Sequence, residues 1–192
     1  MFVGAATAGF AGFVVLGVFT AVAPSFLLDV LHEGSHAVSG AVVFTLFAAS
    51  TLGQVALAQR FGRWALAAGC AALIGGMGLL AAGLAATSLA LVIASAVVAG
   101  LGQGLTLRGG LEAVITRAPA ERRAGVASSF FMVLYTGISL PVIGQGVAAS
   151  LVGLQPAGIA FSIAVAAVAT LTLAMLVPGR TQGTHPGPPV RT

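Results

Sequence analysis

Long runs of apolar residues, separated by short polar breaks, dominate the pattern of this chain. There are six such blocks, at residues 3–28, 38–57, 64–84, 89–107, 124–151 and 156–177. Each block approaches or exceeds the roughly 20 residues that an α-helix needs to cross about 30 Å of hydrocarbon. The blocks are uniformly apolar, which disfavours the alternating strands of a membrane barrel. The pattern predicts an all-α integral membrane protein with six transmembrane helices.

The composition supports a membrane protein. Hydrophobic residues make up 58% of the chain and charged residues only 6%, with a mean hydropathy of +1.09, whereas soluble domains carry about 25% charged residues. All eight basic residues are arginines, and they form no basic face interleaved with aromatics, which argues against nucleic-acid binding. Cys70 is the only cysteine, so an internal disulfide and a thiolate metal site are excluded.

The arginines predict the orientation of the chain, because positively charged loops stay on the cytoplasmic side of a membrane. They follow the second, fourth and sixth blocks, and the loops after the other three blocks contain no basic residue. We therefore expect a multi-pass protein of the cell inner (plasma) membrane with both termini in the cytoplasm. Residues 1–177 would form the transmembrane domain. The Pro-, Gly- and Thr-rich segment 178–192 is expected to be a disordered cytoplasmic tail.

A zinc-hydrolase pattern, HEGSH, occurs at residues 32–36. In such enzymes the two histidines bind one metal ion and the glutamate polarises its water, but a third protein ligand is required. The expected topology places Glu112 and Glu121 across the membrane from this segment, and Asp29 is too near in sequence to converge well. We expect a polar extracytoplasmic loop without metal, cofactor or enzymatic activity. A zinc-dependent intramembrane protease is the alternative from a different class.

The second polar break carries a loop motif. Residues 53–64 read GQVALAQRFGRW, which resembles the Asp-Arg-x-Gly-Arg cytoplasmic loop of the major facilitator superfamily. Arg60, Gly62 and Arg63 match its Arg, Gly and Arg, whereas Gln59 stands where the family has Asp. We define the signature loop as Gly53, Gln59, Arg60, Gly62 and Arg63.

A second resemblance covers residues 108–146. Pro119 to Ser128 reads P-x-E-R-R-x-G-x-A-S, and Tyr135 to Pro141 reads Y-x-G-x-S-x-P. This region is similar to the one that joins the tenth and eleventh helices in drug-efflux-like permeases of the same superfamily. The six spans would then correspond to the family's seventh to twelfth helices, the C-terminal half of its bundle.

The resemblance implies a secondary active transporter that exports small amphipathic organic solutes by alternating access. This chain would be its C-terminal half or a fragment, and it would need an N-terminal half or a second copy as partner. No Asp, Glu, Lys, Arg or His lies clearly inside a span, so the chain offers no obvious proton relay; in the family, coupling carboxylates lie largely in the first half. A non-transporting membrane remnant stays a third interpretation.

The polar residues inside the spans supply candidates for a substrate cavity. A mostly apolar cavity with a few hydroxyl and amide groups suits an amphipathic solute, whereas hydrogen bonds that merely join helices are the alternative. The candidates are Gln54, Gln103, Thr106, Tyr135 and Ser139.

Two further sets follow from the second resemblance. Gly137 and Pro141 are expected to let the fifth span bend, because both weaken the helical hydrogen-bond ladder; an ordinary kinked helix is the alternative. A charged cytoplasmic loop is expected to be solvated and to set the topology, with gating salt bridges as the alternative. It comprises Arg108, Glu112, Arg117, Glu121, Arg122 and Arg123.

Overall fold

The computed structural model describes residues 2–29 and 36–176, and all regular elements in these ranges are helical. The long helices are α1 (Phe2–Asp29), α2 (His36–Leu52), α4 (Ala65–Ala85), α5 (Leu89–Ile115), α6 (Arg123–Val152) and α7 (Leu154–Leu176). A π-helical turn (Gly53–Leu57) and the short α3 (Ala58–Phe61) follow α2. The predicted all-α chain is confirmed. The tail 178–192 and residues 32–35 lie outside the described residues.

Five helical segments of the described chain are long and apolar enough to cross a membrane, one fewer than expected. The difference arises because the second and third predicted spans join in one helical run of 50 residues, His36–Ala85. At 1.5 Å per residue, a straight helix of this length would measure about 75 Å, against about 30 Å of hydrocarbon. The course of this run therefore decides how many crossings the chain makes.

Packing against α5 shows that the 50-residue run is a hairpin. Along α2, later residues meet later residues of α5, so the two helices are parallel. Along α4, later residues meet earlier residues of α5, so these two are antiparallel. It follows that α2 and α4 run in opposite directions. The contacts that fix the directions are Leu46 with Gly100 and Ser50 with Gly104 for α2, and Ala65 with Gly109 and Val92 with Gly83 for α4.

The reversal takes place at Gly62, in the predicted signature loop. Gly62 ends α3 with φ 48° and ψ −120°, a conformation that glycine adopts without the steric cost of a Cβ. A 3-10 turn, Gly62–Trp64, then leads into α4. The glycine of the motif thus has a structural reason: it permits the sharp turn between two antiparallel helices.

α1 and α5 form the centre of the bundle. They run antiparallel, because Gly12 faces Gln103 and Gly110 faces the carbonyl of Ala5. α1 is the most enclosed candidate span, with 76% of its apolar window buried. It packs on α6 on one side and on α7 on another. The largest side chains that are fully buried include Phe19, Phe26, Phe130, Leu46, Leu73 and Leu134.

The helices fall into two groups of three, α1–α2–α4 and α5–α6–α7, whose main contacts can be paired with one another. In this pairing α1 is equivalent to α5, α2 to α6 and α4 to α7. The α1–α6 contact then corresponds to α2–α5, the α1–α7 contact to α4–α5, and the α1–α2 contact to α5–α6. Equivalent helices also meet, α1 with α5 and α4 with α7. The match is not complete: the α4–α5 contact is much more extensive than the α1–α7 contact, and the α1–α4 and α6–α7 contacts have no counterpart of similar extent. Because α1 and α5 are antiparallel, the groups are related as inverted-topology repeats.

Irregular points of the two repeats fall at equivalent places. Directly after α2, the π-helical turn begins three residues beyond Ser50, whose carbonyl lies against Gly104 of α5. In α6, Pro141 follows three residues after Ile138, whose carbonyl lies against Gly17 of α1. In each repeat, therefore, a glycine of the first helix closely approaches the second helix where its regular hydrogen-bond ladder is interrupted.

The arginines of the described chain all lie at one end of this bundle. The pairing of Gly109 with Ala65 brings the end of α5 beside the start of α4, and the α5–α6 connection lies at the same end. The opposite end, around His36, the α4–α5 turn and the α6–α7 turn, carries no arginine. This arrangement is the one that the loop charges predicted. The arginines are Arg60, Arg63, Arg108, Arg117, Arg122 and Arg123.

The hairpin can be tested by labelling single cysteines in a Cys70→Ala background with a membrane-impermeant maleimide. We expect His36→Cys and Ala86→Cys to react from one side of the membrane and Arg63→Cys from the other, because α2 and α4 each cross once. If the 50-residue run crossed only once, His36→Cys and Ala86→Cys would react from opposite sides.

Candidate functional site

A cluster of polar side chains lies between α2 and α5. The Ser50 hydroxyl donates a hydrogen bond to Oε1 of Gln103, and Nε2 of Gln54 donates to Oγ of Ser50 over 3.1 Å. The Thr106 hydroxyl donates to the carbonyl of Gln103 over 3.0 Å. Gln103 is 2% exposed and Thr106 is fully buried. Three of the predicted cavity residues, Gln54, Gln103 and Thr106, are thus brought together with Ser50.

Glycines allow the backbones around this cluster to approach closely. A Cβ on Gly12 of α1 would lie 2.6 Å from Oγ1 of Thr106, and a Cβ on Gly53 would lie 2.6 Å from the carbonyl oxygen of Leu101. The cluster is therefore tightly enclosed by α1, α2 and α5. In this conformation the Ser50–Gln103 hydrogen bond joins two helices, as in the alternative that the sequence left open, whereas the other two bonds form within one helical run.

The other two candidates, Tyr135 and Ser139, lie on the outer side of α6. Tyr135 is 62% exposed, and its ring packs edge-on against Phe13 with 6.0 Å between centroids. An open depression of about 680 Å³ runs along this face. Its lining combines apolar and hydroxyl-bearing side chains: Ser128, Phe131, Met132, Tyr135, Thr136 and Ser139.

Two hydroxyl groups of this depression already donate hydrogen bonds within α6. Thr136 and Ser139 donate to carbonyls of their own helix, 3.0 Å from Met132 and 3.1 Å from Tyr135. Their donor capacity is thereby used within α6, and their oxygen lone pairs are left to accept. The depression can therefore hold an apolar body and accept a few hydrogen bonds, which is the chemistry of an amphipathic solute.

The bend candidates of α6 are both buried. Gly137 meets the backbone of Phe10, with 3.0 Å from its Cβ position to the carbonyl oxygen. Pro141 lines an apolar cavity of about 180 Å³ together with Phe10, Val14 and Phe161. A neighbouring void gives this part of α6 room to change its direction at Pro141.

Ser50 and Gln145 are two of the buried polar side chains that were not among the cavity candidates. Ser50 lies one helical turn before Gln54, a spacing that could have indicated a shared face. Gln145 is 2% exposed, and neither its amide nitrogen nor its oxygen has a hydrogen-bond partner. The signal in the sequence is a polar residue inside an apolar block, four residues after Pro141.

The predicted charged loop is shorter than expected, because Arg108 and Glu112 lie in α5, which stays helical to Ile115. Its six residues form no ion pair among the residues that the structure describes. Arg123 instead donates from Nε to the carbonyl of Ala118 over 3.3 Å. The gating salt bridges considered as an alternative are therefore not made in this conformation. In the signature loop, Gln59, Arg60 and Arg63 are exposed, and the Arg63 guanidinium lies 5.6 Å from the centroid of the Trp64 ring.

Within residues 2–29 and 36–176, no group of three or more His, Cys, Asp or Glu side chains is placed to hold a metal ion. Of the HEGSH pattern only His36 belongs to the described chain, where it begins α2. His32 and Glu33 lie outside it.

Comparison with known proteins gives no match: no protein-family model, curated protein or solved structure is similar to this chain. The class is defined by the fold instead. Long apolar helices, five of them able to cross a membrane by length and composition, are consistent with a helical membrane protein.

The close approach beside Ser50 can be tested with matched glycine substitutions. Gly104→Ala should lower the free energy of unfolding by about 1–3 kcal/mol, because the added methyl group meets the Ser50 carbonyl and forces α2 away. Gly78→Ala in α4 meets no atom within 4 Å and should be neutral or slightly stabilising. Thermal unfolding of the purified variants measures both. Equal stability of the two variants would contradict the packing described.

Proposed function

We propose that this chain is a six-helix half of a secondary transporter of the major facilitator type, which exports small amphipathic organic solutes. In this proposal the helical hairpin α2–α4 crosses the membrane twice, which gives six crossings. The arginine-rich end then faces the cytoplasm, as the positive-inside rule requires, and both termini lie on that side.

The observation that carries the proposal is the inverted repeat of three helices with irregular points at equivalent places. Inverted repeats of this kind are a recurrent architecture of secondary transporters, and interrupted helices in corresponding positions are the best pointer to their substrate sites. The motif resemblances of the signature loop and of residues 108–146 support the same family. Neither feature is expected of a membrane anchor or a simple helical bundle.

The interrupted helices also suggest how the chain would change shape. The π-helical turn after α2 and Pro141 in α6 lower the free energy needed to bend the chain at these points. The hydrogen bond between Ser50 and Gln103 keeps α2 attached to α5. Bending of α2 and α6 relative to the α1–α5 core would open and close one side of the bundle. Alternating access requires such a change between two states that bind solute differently.

The depression on α6 is the proposed solute-contacting surface of this half. Tyr135 offers a phenol and an aromatic face, and Ser139 and Thr136 offer hydroxyl oxygens on an apolar floor. The depression is open on one side, so a second six-helix unit would have to enclose the solute. That unit is an N-terminal half or a second copy of this chain, and it would supply any carboxylate for proton coupling.

Export can be tested in the source cell with ethidium as the amphipathic probe. Deleting the coding sequence should raise the steady-state accumulation of ethidium, and the unaltered chain should restore it. Complementation with Tyr135→Ala should raise the half-saturating ethidium concentration roughly tenfold, the equivalent of about 1.4 kcal/mol, since the main aromatic contact is lost.

Ile163→Ala is the matched control, because Ile163 is 60% exposed on α7, close to the 62% of Tyr135. This variant should export ethidium like the unaltered chain. Unchanged accumulation after deletion, tested over several cationic and neutral amphipathic dyes, would contradict the export proposal. Equal losses in Tyr135→Ala and Ile163→Ala would contradict the assignment of the solute surface to α6.

A further inference from the structure

A basic pocket lies at the turn between α5 and α6, apart from the α6 depression. Its volume is about 320 Å³, and Arg117 and Arg122 line it from the two sides of the turn. The remaining wall is mostly apolar, with Val114 buried at the end of α5 and Val126 half-buried in the first turn of α6. The pocket thus combines two cations with an apolar floor.

The positive charge of this pocket is not compensated within the described chain. Neither the Arg117 nor the Arg122 side chain makes an ion pair or hydrogen bond with another described residue; the backbone N–H of Arg122 donates to the carbonyl of Pro119 over 2.9 Å. Arg123, next to them, uses its Nε on the carbonyl of Ala118, which holds the turn in place. Two guanidinium groups that share one pocket without an anion are arranged to receive one, because planar guanidinium groups match phosphate oxygens in paired hydrogen bonds.

The position of the pocket indicates the source of the anion. It lies at the arginine-rich end of an apolar bundle, directly beyond the last turns of α5 and before the first turn of α6. In a membrane, this level is that of the lipid headgroups, and basic pockets between helices on the cytoplasmic side attract anionic lipids. A free phosphate ion would gain no favourable contact from the apolar wall formed by Val114 and Val126, whereas the apolar part of a lipid would.

We propose that the pocket binds the phosphate of an anionic membrane phospholipid. Arg117 and Arg122 hydrogen-bond to the phosphate oxygens, and the glycerol and the first acyl carbons lie on the apolar wall. Beyond Arg122, an adjoining depression of about 480 Å³ is lined by Glu121, Gly125 and Ser129. The Glu121 carboxylate repels phosphate there, and it can accept a hydrogen bond from a hydroxyl-bearing headgroup such as that of phosphatidylglycerol.

The test is a titration of the purified full chain in neutral detergent with dioleoyl-phosphatidylglycerol, followed by thermal unfolding. The unfolding midpoint should rise with phosphatidylglycerol and stay unchanged with phosphatidylcholine or inorganic phosphate. Arg117→Gln combined with Arg122→Gln should weaken the apparent affinity for phosphatidylglycerol roughly 30-fold at low salt. Arg117→Lys combined with Arg122→Lys retains the charges and should lose only part of the affinity.

The matched control removes the same charge from the same end of the bundle. Arg60→Gln combined with Arg63→Gln should change the affinity by no more than about threefold, because these side chains lie in another loop and do not line the pocket. Equal losses in the two glutamine pairs would mean that the lipid is attracted by net charge alone. An equal effect of inorganic phosphate, or no effect of phosphatidylglycerol on the unaltered chain, would also overturn the proposal, which holds whether or not the chain transports solutes.

Discussion

The bundle depends on close approach of helix backbones at glycine. Lipid tails are as apolar as leucine, so helices in a membrane associate through packing and hydrogen bonds and not through the hydrophobic effect. Gly104 and Gly17 meet this constraint, because each lets a central helix rest against a carbonyl of its neighbour. The polar contacts of Ser50 and Gln103 form where the same approach brings α2 against α5.

The inverted repeat follows from this packing. α1 and α5 play the same part in the two repeats, and each carries the glycine that meets an interrupted helix. Each of these contacts packs two helices together beside the π-helical turn or Pro141, where the partner helix is interrupted. The same places therefore contribute to both the stability of the bundle and the proposed motion. Of the polar residues nearby, Gln103 holds α2 and α5 together, whereas Tyr135 faces outward from α6.

The sequence predicted what apolar blocks and charges control. The helices occupy the predicted blocks, the arginines lie at one end, and Gly62 lies at a chain reversal. The apolar blocks did not predict that the polar stretch around Ala58–Phe61 stays helical, so that the second and third blocks join in one helical run that reverses at Gly62. The spans are apolar on every side, so no stripe indicates which helices meet. Consequently the structure was needed to show that Gln103 and Thr106 are buried between helices, whereas Tyr135 and Ser139 are exposed.

The equivalence of the two repeats is tested most directly by cross-linking in a Cys70→Ala background. A short bifunctional thiol reagent should join Ser50→Cys to Gln103→Cys, between α2 and α5, and Phe13→Cys to Tyr135→Cys, between α1 and α6. Ser50→Cys with Ile163→Cys on α7 should not react within one chain. Mass spectrometry of the linked peptides reads the result. Efficient linkage of both pairs is the predicted result, and linkage of only one pair would contradict the inverted repeat.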